Sequence, residues 1–400
     1  MKKVFIASYG GGHANIMKLL YPELVNSFEV ELMALTLADV IFKDADIPHR
    51  TIKDYLIFFD EDKQKEIINY GRQLAKTEYN PNSSMTKEDC VVYLGMGMID
   101  LVSSLNSLDL AQKELHDKGR KAFCPIQVAK TILQHVIPDI VVLSSSVRFE
   151  AAVGIAANKI GIPVLHIRDL PVAINLPYYA DVCVMNAYTE KLLNFSKNKN
   201  IKNVFTTGQP VFNNVDNVSI NRINALKEML NLDSYNNVIV FLEEPASETN
   251  EVIEQFLETE ASHNATSLYI FKLHPNMDIS EKIEYIRDNC IRVRDIDLLA
   301  LLANTDVAIS RISTSALEAA FMDVDIIIAN IENTPLSIDY SDFGIALKAN
   351  SLDEIKQYIS ELILNKTDKF NLKKHRLAFK NRPNAAKNIS DVISMILKEH

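Results

Sequence analysis

A chain of 400 residues is too long for one ordinary core, and at a formal net charge of −10 it is ill-suited to charge-driven binding of nucleic acid or an anionic membrane. Hydrophobic residues make up 48% of it, enough for two α/β domains with full cores. Cys90, Cys124, Cys183 and Cys290 are scattered with no CxxC pair, and read as buried thiols of a reducing cytosol rather than a disulfide or zinc framework. No apolar run nears the roughly twenty residues of a membrane span, and the chain enters a strand at once. A soluble cytoplasmic protein is expected, with at most peripheral membrane contact.

In chain order, Val4–Ala7 predicts a buried strand, Gly10-Gly11-Gly12-His13 a turn, and Ile16 to Leu24 a helix with apolar residues at helical spacing. Strand, glycine turn and helix present backbone N–H groups to an anion, and His13 sits on that turn. The spacing matches neither the dinucleotide fingerprint nor the P-loop, and no Lys-Ser/Thr follows, so ATP hydrolysis is disfavoured. A turn that only lets strand and helix pack closely stands equally open for the glycines by themselves. Further strands are expected at 28–35, 91–94, 140–143, 164–167, 182–185 and 203–206. A second series follows at 238–242, 268–273, 291–293, 307–310 and 326–330.

Most of these runs are apolar throughout, the mark of parallel strands buried on both faces with crossover helices between them. Residues 60–90 are polar and helical, with an Asn80-Pro81-Asn82-Ser83-Ser84 turn, and read as an insertion in the first domain. The chain breaks near Thr207-Gly208-Gln209-Pro210. The expectation is a domain over 1–207, a second over 208–384, and a segment 385–400 whose helix returns to the first. The fold class is α/β, two facing Rossmann-like domains with their ligand loops across a central cleft near Gly208.

The second series carries the more diagnostic residues. Its strand at 268–273 runs into His274-Pro275, and its strand at 307–310 into Ser310-Arg311-Ile312-Ser313-Thr314-Ser315. Ser313, Thr314 and Ser315 offer hydroxyls and backbone N–H groups to a phosphate. Glu318, one turn on, has a carboxylate suited to two vicinal ribose hydroxyls. His274 donates to a phosphate oxygen, and Arg311 offsets nucleotide charge. A strand-ending turn and a helix N-cap are the plain alternatives for the two motifs. In the first series Arg148 follows a strand end, its alternative being a surface salt bridge with Glu150, and Arg168 and Asp169 form a charged pair at another.

Gly10-Gly-Gly-His13, Thr207-Gly-Gln-Pro210, His274-Pro275 and Ser313-Thr-Ser-Ala-Leu-Glu-Ala319 together resemble GT-B glycosyltransferases and their relatives. The glycine-His loop is similar to that of lipid-linked GlcNAc transferases and diacylglycerol glycosyltransferases. The other motifs look more like non-hydrolysing UDP-GlcNAc 2-epimerases and capsule-polysaccharide transferases, and His-Pro with a Ser/Thr pair also resembles bacterial sialyltransferases that use CMP-sugars. The donor is therefore of UDP or CMP type. Where the epimerases carry a Gly-Asp and a His-Val-Glu, this chain has Ser146 and His166-Ile-Arg168-Asp169, so two carboxylates that epimerisation needs are missing unless Asp169 or Glu150 substitutes. Leu242-Glu243-Glu244-Pro245 stands where many transferases hold a diphosphate with Gly-Ser, which turns Glu243 and Glu244 toward an acceptor or a metal.

The resemblance implies a GT-B transferase of polysaccharide-biosynthesis type, moving a sugar from a nucleotide-sugar to a small or lipid-linked acceptor. His13 is the expected general base, with Asp169 as the other catalytic candidate. Gly11, Gly12, Gln209, His274, Pro275, Arg311, Ser313, Thr314, Ser315 and Glu318 are expected at the nucleotide-sugar. Arg148, Arg168 and Glu244 are candidates for acceptor or diphosphate. No cofactor and no metal are expected, because Asp295-Ile-Asp297 and Asp323-Val-Asp325 precede apolar segments and read as loop carboxylates. A UDP-sugar epimerase or hydrolase, and a non-catalytic nucleotide-sugar-binding protein, remain alternatives, as does a homodimer.

Overall fold

The structure, a computed structural model, describes residues 1–399 except 82–83, 196–197, 214, 216, 245–246, 275–276, 278–280 and 365–370. The chain divides into two compact units, residues 1–213 with 382–400, and residues 214–381.

The first unit is built on seven strands: β1 (Lys3–Ser8), β2 (Glu29–Ala34), β3 (Arg50–Thr51), β4 (Ile140–Leu143), β5 (Val164–Ile167), β6 (Ala180–Val184) and β7 (Ile201–Thr206). They pair in parallel in the order β3-β2-β1-β4-β5-β6-β7. Alternate residues of β4 feed two different cores, Val141 and Leu143 one, Ile140 and Val142 the other. Both faces of the sheet are therefore covered by helices, as a parallel sheet requires. The second unit repeats the plan with β8 (Asn237–Leu242), β9 (Ser267–Lys272), β10 (Ile283–Arg287), β11 (Cys290–Val293), β12 (Val307–Ser310), β13 (Asp325–Ala329) and β14 (Leu347–Ala349). Its order is β10-β11-β9-β8-β12-β13-β14, parallel except for β10 against β11.

Apart from the β10–β11 hairpin at one edge, the strand order reverses between β1 and β4 and between β8 and β12. At such a point the connections leave to opposite faces and open a crevice at the strand C-termini, where ligands of doubly wound sheets bind. The two α/β domains are thus Rossmann-like.

Three edge strands, β3, β10 and β14, escape the sequence pattern because they are short or half-exposed. The expected strand at 91–94 is wrong. Those residues lie inside the helix Lys87–Leu105, buried without a break from Asp89 to Asp100. A short apolar run reads alike in a buried helix and a buried strand, and here Thr86 starts the helix by accepting the Asp89 N–H. Gly71 and Gly95 let it pack closely on the helix Glu61–Glu78, since a Cβ on either would lie 1.9 Å from a carbonyl oxygen of the other helix. Cys124 is exposed, not buried as expected.

The chain returns to the first unit near residue 382. Gly208 has φ +87°, and a Cβ there would sit 2.0 Å from the Arg382 carbonyl oxygen, so glycine is required twice over. The Arg382 N–H bonds Met185 O and Asn388 Nδ2 bonds Thr207 O. The helix Ala385–Glu399 then buries Ile389, Ile393 and Ile396 with residues of β1 and the first helix, Gly12–Leu24.

Candidate functional site

At the β1/β4 switch point, Gly10 and Gly12 differ in what they are for. A Cβ on Gly10 would lie 2.2 Å from Leu37 Cβ, so Gly10 is a packing residue. Gly11 is the N-cap at φ +69°. Gly12 has no such φ, and a Cβ on it would meet nothing within 4 Å. Packing within this domain therefore does not demand glycine at 12, and an incoming ligand has clear access to the backbone.

His13 follows on the first turn of Gly12–Leu24, half-buried, with Nδ1 fully buried and without a partner. Glu150, on the helix Arg148–Lys159, interacts electrostatically with it. Glu150 is completely buried and accepts the N–H groups of Tyr9 (2.8 Å), Ser145 (2.8 Å) and Ser144 (3.1 Å). Burial raises its pKa, while His13 and those three N–H groups favour the carboxylate. The surface salt bridge with Arg148 is therefore not formed. Arg148, half-buried at φ +53°, makes no hydrogen bond or ion pair among the described residues. A non-glycine residue in that conformation is strained, and such residues collect at functional sites.

Arg168 and Asp169 pair at 3.1 Å past the end of β5, and Arg168 also donates to Val172 O at 3.3 Å. His166, fully buried in β5, bonds the Tyr178 hydroxyl at 2.9 Å. Gln209 is buried, its carbonyl oxygen accepting the Val211 N–H at 2.5 Å in a local cap.

At the β8/β12 switch point, Glu244 is a brace rather than a free acid. It accepts the Ile312 N–H at 2.7 Å and pairs with Arg311 at 3.5 Å. This corrects the expectation that Glu244 turns to an acceptor or a metal. Arg311 also meets Glu332 at 3.3 Å, so its charge is already shared by two carboxylates. The hydroxyl turn is partly self-satisfied, because the Ser315 N–H bonds Ser313 Oγ (3.2 Å) and Tyr340 donates to Ser313 O (3.2 Å). Left without partners among the described residues are the Ser313 and Thr314 N–H groups and the Thr314 and Ser315 hydroxyls. Glu318 lies one turn on in Ser315–Phe321, its carboxylate accepting no hydrogen bond among the described residues and pushed up to about 7 by burial. Glu243 is buried too, raised by burial and by Glu254, with Arg292 opposing the shift. His274 lies just beyond β9, half-buried, and Pro275 falls outside the described residues.

Buried side-chain atoms without a partner point to the same two places. They are His13 Nδ1, Ser144 Oγ, His166 Nε2 and Arg168 Nε in the first unit. In the second they are Glu243 Oε1, Asn250 Oδ1, Ser310 Oγ, Arg311 Nε and Asn330 Oδ1. Buried polar groups are normally bonded, so orphans gathered at the strand C-termini mark where polar ligand groups fit. None of Ser144, His166, Ser310 and Asn330 is a site candidate from sequence, because a polar residue at the end of an apolar strand does not by itself signal a ligand contact. Cavity size is a poor guide here. The cavity of about 900 Å³ lined by Lys53, Arg72, Lys76 and Val91 lies in the helical insertion, away from both switch points.

The two Asp-x-Asp spacings are occupied by structural work. Asp297 caps Leu298–Leu302 and binds Arg222 at 2.6 and 2.8 Å. Asp323 and Asp325 both bind Arg376 at 2.9 Å. Among the described residues no three His, Cys, Asp or Glu side chains gather as a metal would need, and no helix is long and apolar enough to cross a membrane.

No family model and no curated protein matches the chain. Solved structures do. The Staphylococcus aureus MnaA–UDP complex shares 13% identity at a TM-score of 0.60, covering 100% of this chain and 97% of that one. A UDP-GlcNAc 2-epimerase from Neisseria meningitidis bound to UDP-GlcNAc shares 14% at 0.58, over the whole of both chains. The glycosyltransferase SnogD from Streptomyces nogalater shares 13% at 0.54, covering 99% of each. At these identities the likeness establishes architecture, and the chain has the GT-B fold.

Proposed function

We propose that the protein transfers a sugar from a nucleotide-sugar to an acceptor hydroxyl without a metal. The observation that carries this is His13. It sits at a switch point beside two glycines that nothing crowds, and it acts electrostatically on a buried carboxylate, Glu150. An imidazole on an uncrowded turn, with a carboxylate charge acting on it, suits proton abstraction from a hydroxyl. In this reading Glu318 binds the ribose hydroxyls. The free N–H and hydroxyl groups at Ser313–Ser315 bind the diphosphate, with His274, and the departing charge is met by these donors instead of an ion.

UDP and UDP-GlcNAc in structures of the same fold support a UDP-type donor. They also favour a second reading, epimerisation or hydrolysis of a UDP-N-acetyl sugar. Against it stands the lack of free acids where that chemistry would need them, since Ser146 and Arg168 take those positions and Asp169 is paired. Melting curves with UDP, CMP, GDP and TDP test the binding claim, because a ligand held by the folded state raises its stability. A shift with UDP or CMP is expected. No shift with any nucleotide contradicts the proposal, and product analysis with and without acceptor separates transfer from hydrolysis.

A further inference from the structure

The cavity of about 900 Å³ in the helical insertion has apolar walls and cations at its mouth. From the helix Glu61–Glu78 it takes Ile68, Arg72, Ala75, Lys76 and Tyr79, the spacing of a single helical face. Val91 and Val92 come from Lys87–Leu105, and Leu56 from the 3₁₀ turn Ile52–Phe58. Ala75, Val91 and Val92 are buried and Leu56, Ile68 and Tyr79 half-buried, whereas Arg72, Lys76 and Lys87 are exposed. Apolar surface therefore lies deep, and charge lies outermost. Gly71 and Gly95 already bring the two helices to backbone contact, so they cannot move closer to fill the space. Its volume is that of a ligand pocket.

The cations are unspent. Arg72, Lys76 and Lys87 make no hydrogen bond or ion pair among the described residues. Other lysines of the same helix do, Lys63 with Glu66 at 2.6 Å and Lys65 with Asp62 at 3.3 Å. Glu88, the one acid among the described residues lining the cavity, is paired with Lys53 at 3.5 Å. In a chain of net charge −10, three unpaired cations beside an apolar cavity complement an anion that carries an apolar body.

We propose that this cavity binds a single-chain amphipathic anion, an alkyl or acyl chain with an anionic head. The chain lies against Leu56, Ile68, Val91 and Val92, and the head meets Arg72, Lys76 and Lys87. A lone chain can enter a cavity whose walls a flat bilayer surface does not reach, since Val91 is 9% and Val92 3% exposed. The site lies away from both switch points and does not depend on the transferase reading.

Calorimetric titration of the full-length protein with hexyl, octyl and decyl phosphate, each kept below micelle formation, tests this. One molecule should bind per chain, with affinity rising about three- to four-fold per added methylene, the gain from burying each one. Inorganic phosphate and decanol should each bind at least about ten-fold more weakly than decyl phosphate, and excess UDP should not displace it. Arg72 and Lys76 are bonded to no described residue, so a double variant, Arg72→Glu with Lys76→Glu, should melt as the parent does. It should bind decyl phosphate at least about ten-fold more weakly, from loss of charge-assisted bonds. Affinity that ignores chain length, decanol bound as tightly as decyl phosphate, or unchanged affinity in the folded double variant overturns the proposal. Displacement by UDP moves the ligand to the nucleotide site and also overturns it. So does sedimentation of the parent, but not the double variant, with phosphatidylglycerol vesicles, which would make the patch a membrane contact.

Discussion

Glu150 accepts the backbone N–H of Tyr9 at 2.8 Å, and this bond joins the end of β1 to the helix that follows β4. The carboxylate's other oxygen takes the Ser144 and Ser145 N–H groups, so both oxygens face donors. The same side chain holds the switch point together and supplies a negative charge that interacts with His13.

Glu150→Gln is therefore not a conservative change. Whichever way the amide turns, its NH₂ group faces a backbone N–H, and a buried donor is left unsatisfied. The variant should lose about 1–3 kcal/mol of stability in urea unfolding, with Glu150→Ala at least as destabilised. Equal stability of Glu150→Gln and the parent would show that the three bonds matter little.

Gly10 and Gly12 should separate packing from function. Gly10→Ala drives a methyl into Leu37 and should destabilise by about 1–3 kcal/mol. Gly12→Ala meets nothing and should leave the melting temperature unchanged or slightly higher, yet lower transferase activity by crowding the ligand. Full activity in Gly12→Ala would return that glycine to a plain structural role.

Glu318 gives nucleotide binding a pH dependence. Ribose hydroxyls donate to the ionised carboxylate, but burial holds Glu318 near 7, so below that pH binding must first expel a proton. Affinity should fall as pH drops below 7, approaching about ten-fold per unit. Glu318→Gln should flatten that dependence and weaken binding at pH 8 by about ten-fold or more, from loss of bonds to a charged group of roughly 1.5–3 kcal/mol. For stability the sign is opposite. A carboxyl raised from 4.5 to about 7 on folding stabilises fully below 4.5, and that contribution is lost as pH rises through 7. Glu318→Gln should thus gain on the parent between pH 5 and 8. Calorimetric titration with UDP at pH 6, 7 and 8 checks the binding, and a flat profile in the parent removes Glu318 from the ribose.

Turnover should survive EDTA. Asp297 is tied to Arg222, Asp295 to Arg294, and Asp323 and Asp325 to Arg376, while the diphosphate charge is assigned to donors of the Ser313–Ser315 turn. Abolition by chelator, with rescue by Mg²⁺ or Mn²⁺, would reverse this.

The architecture was legible in the sequence because parallel strands buried on both faces appear as uninterrupted apolar runs. Val4–Ala7 and Val307–Ile309 needed no more than that. Val91–Leu94 misled for the same reason, since a helix buried all round shows no polar face. The sites were only half legible. The glycine-His13 turn and the Ser313–Ser315 turn are local and visible. Glu150, whose partner Tyr9 lies 141 residues away, owes its role to contacts that sequence spacing does not record. The same is true of Glu244, a candidate for acceptor or diphosphate that pairs with Arg311, and of the loop carboxylates Asp323 and Asp325, which brace Arg376.

The central claim is that His13 takes the acceptor's proton, and steady-state kinetics of His13→Ala beside its UDP affinity test it most directly. A general base is worth about 10²–10⁴-fold in rate, so kcat should fall by that factor while the dissociation constant for UDP stays within about two-fold. An unchanged kcat would contradict the account, and lost UDP binding with kcat retained would make His13 a phosphate ligand instead.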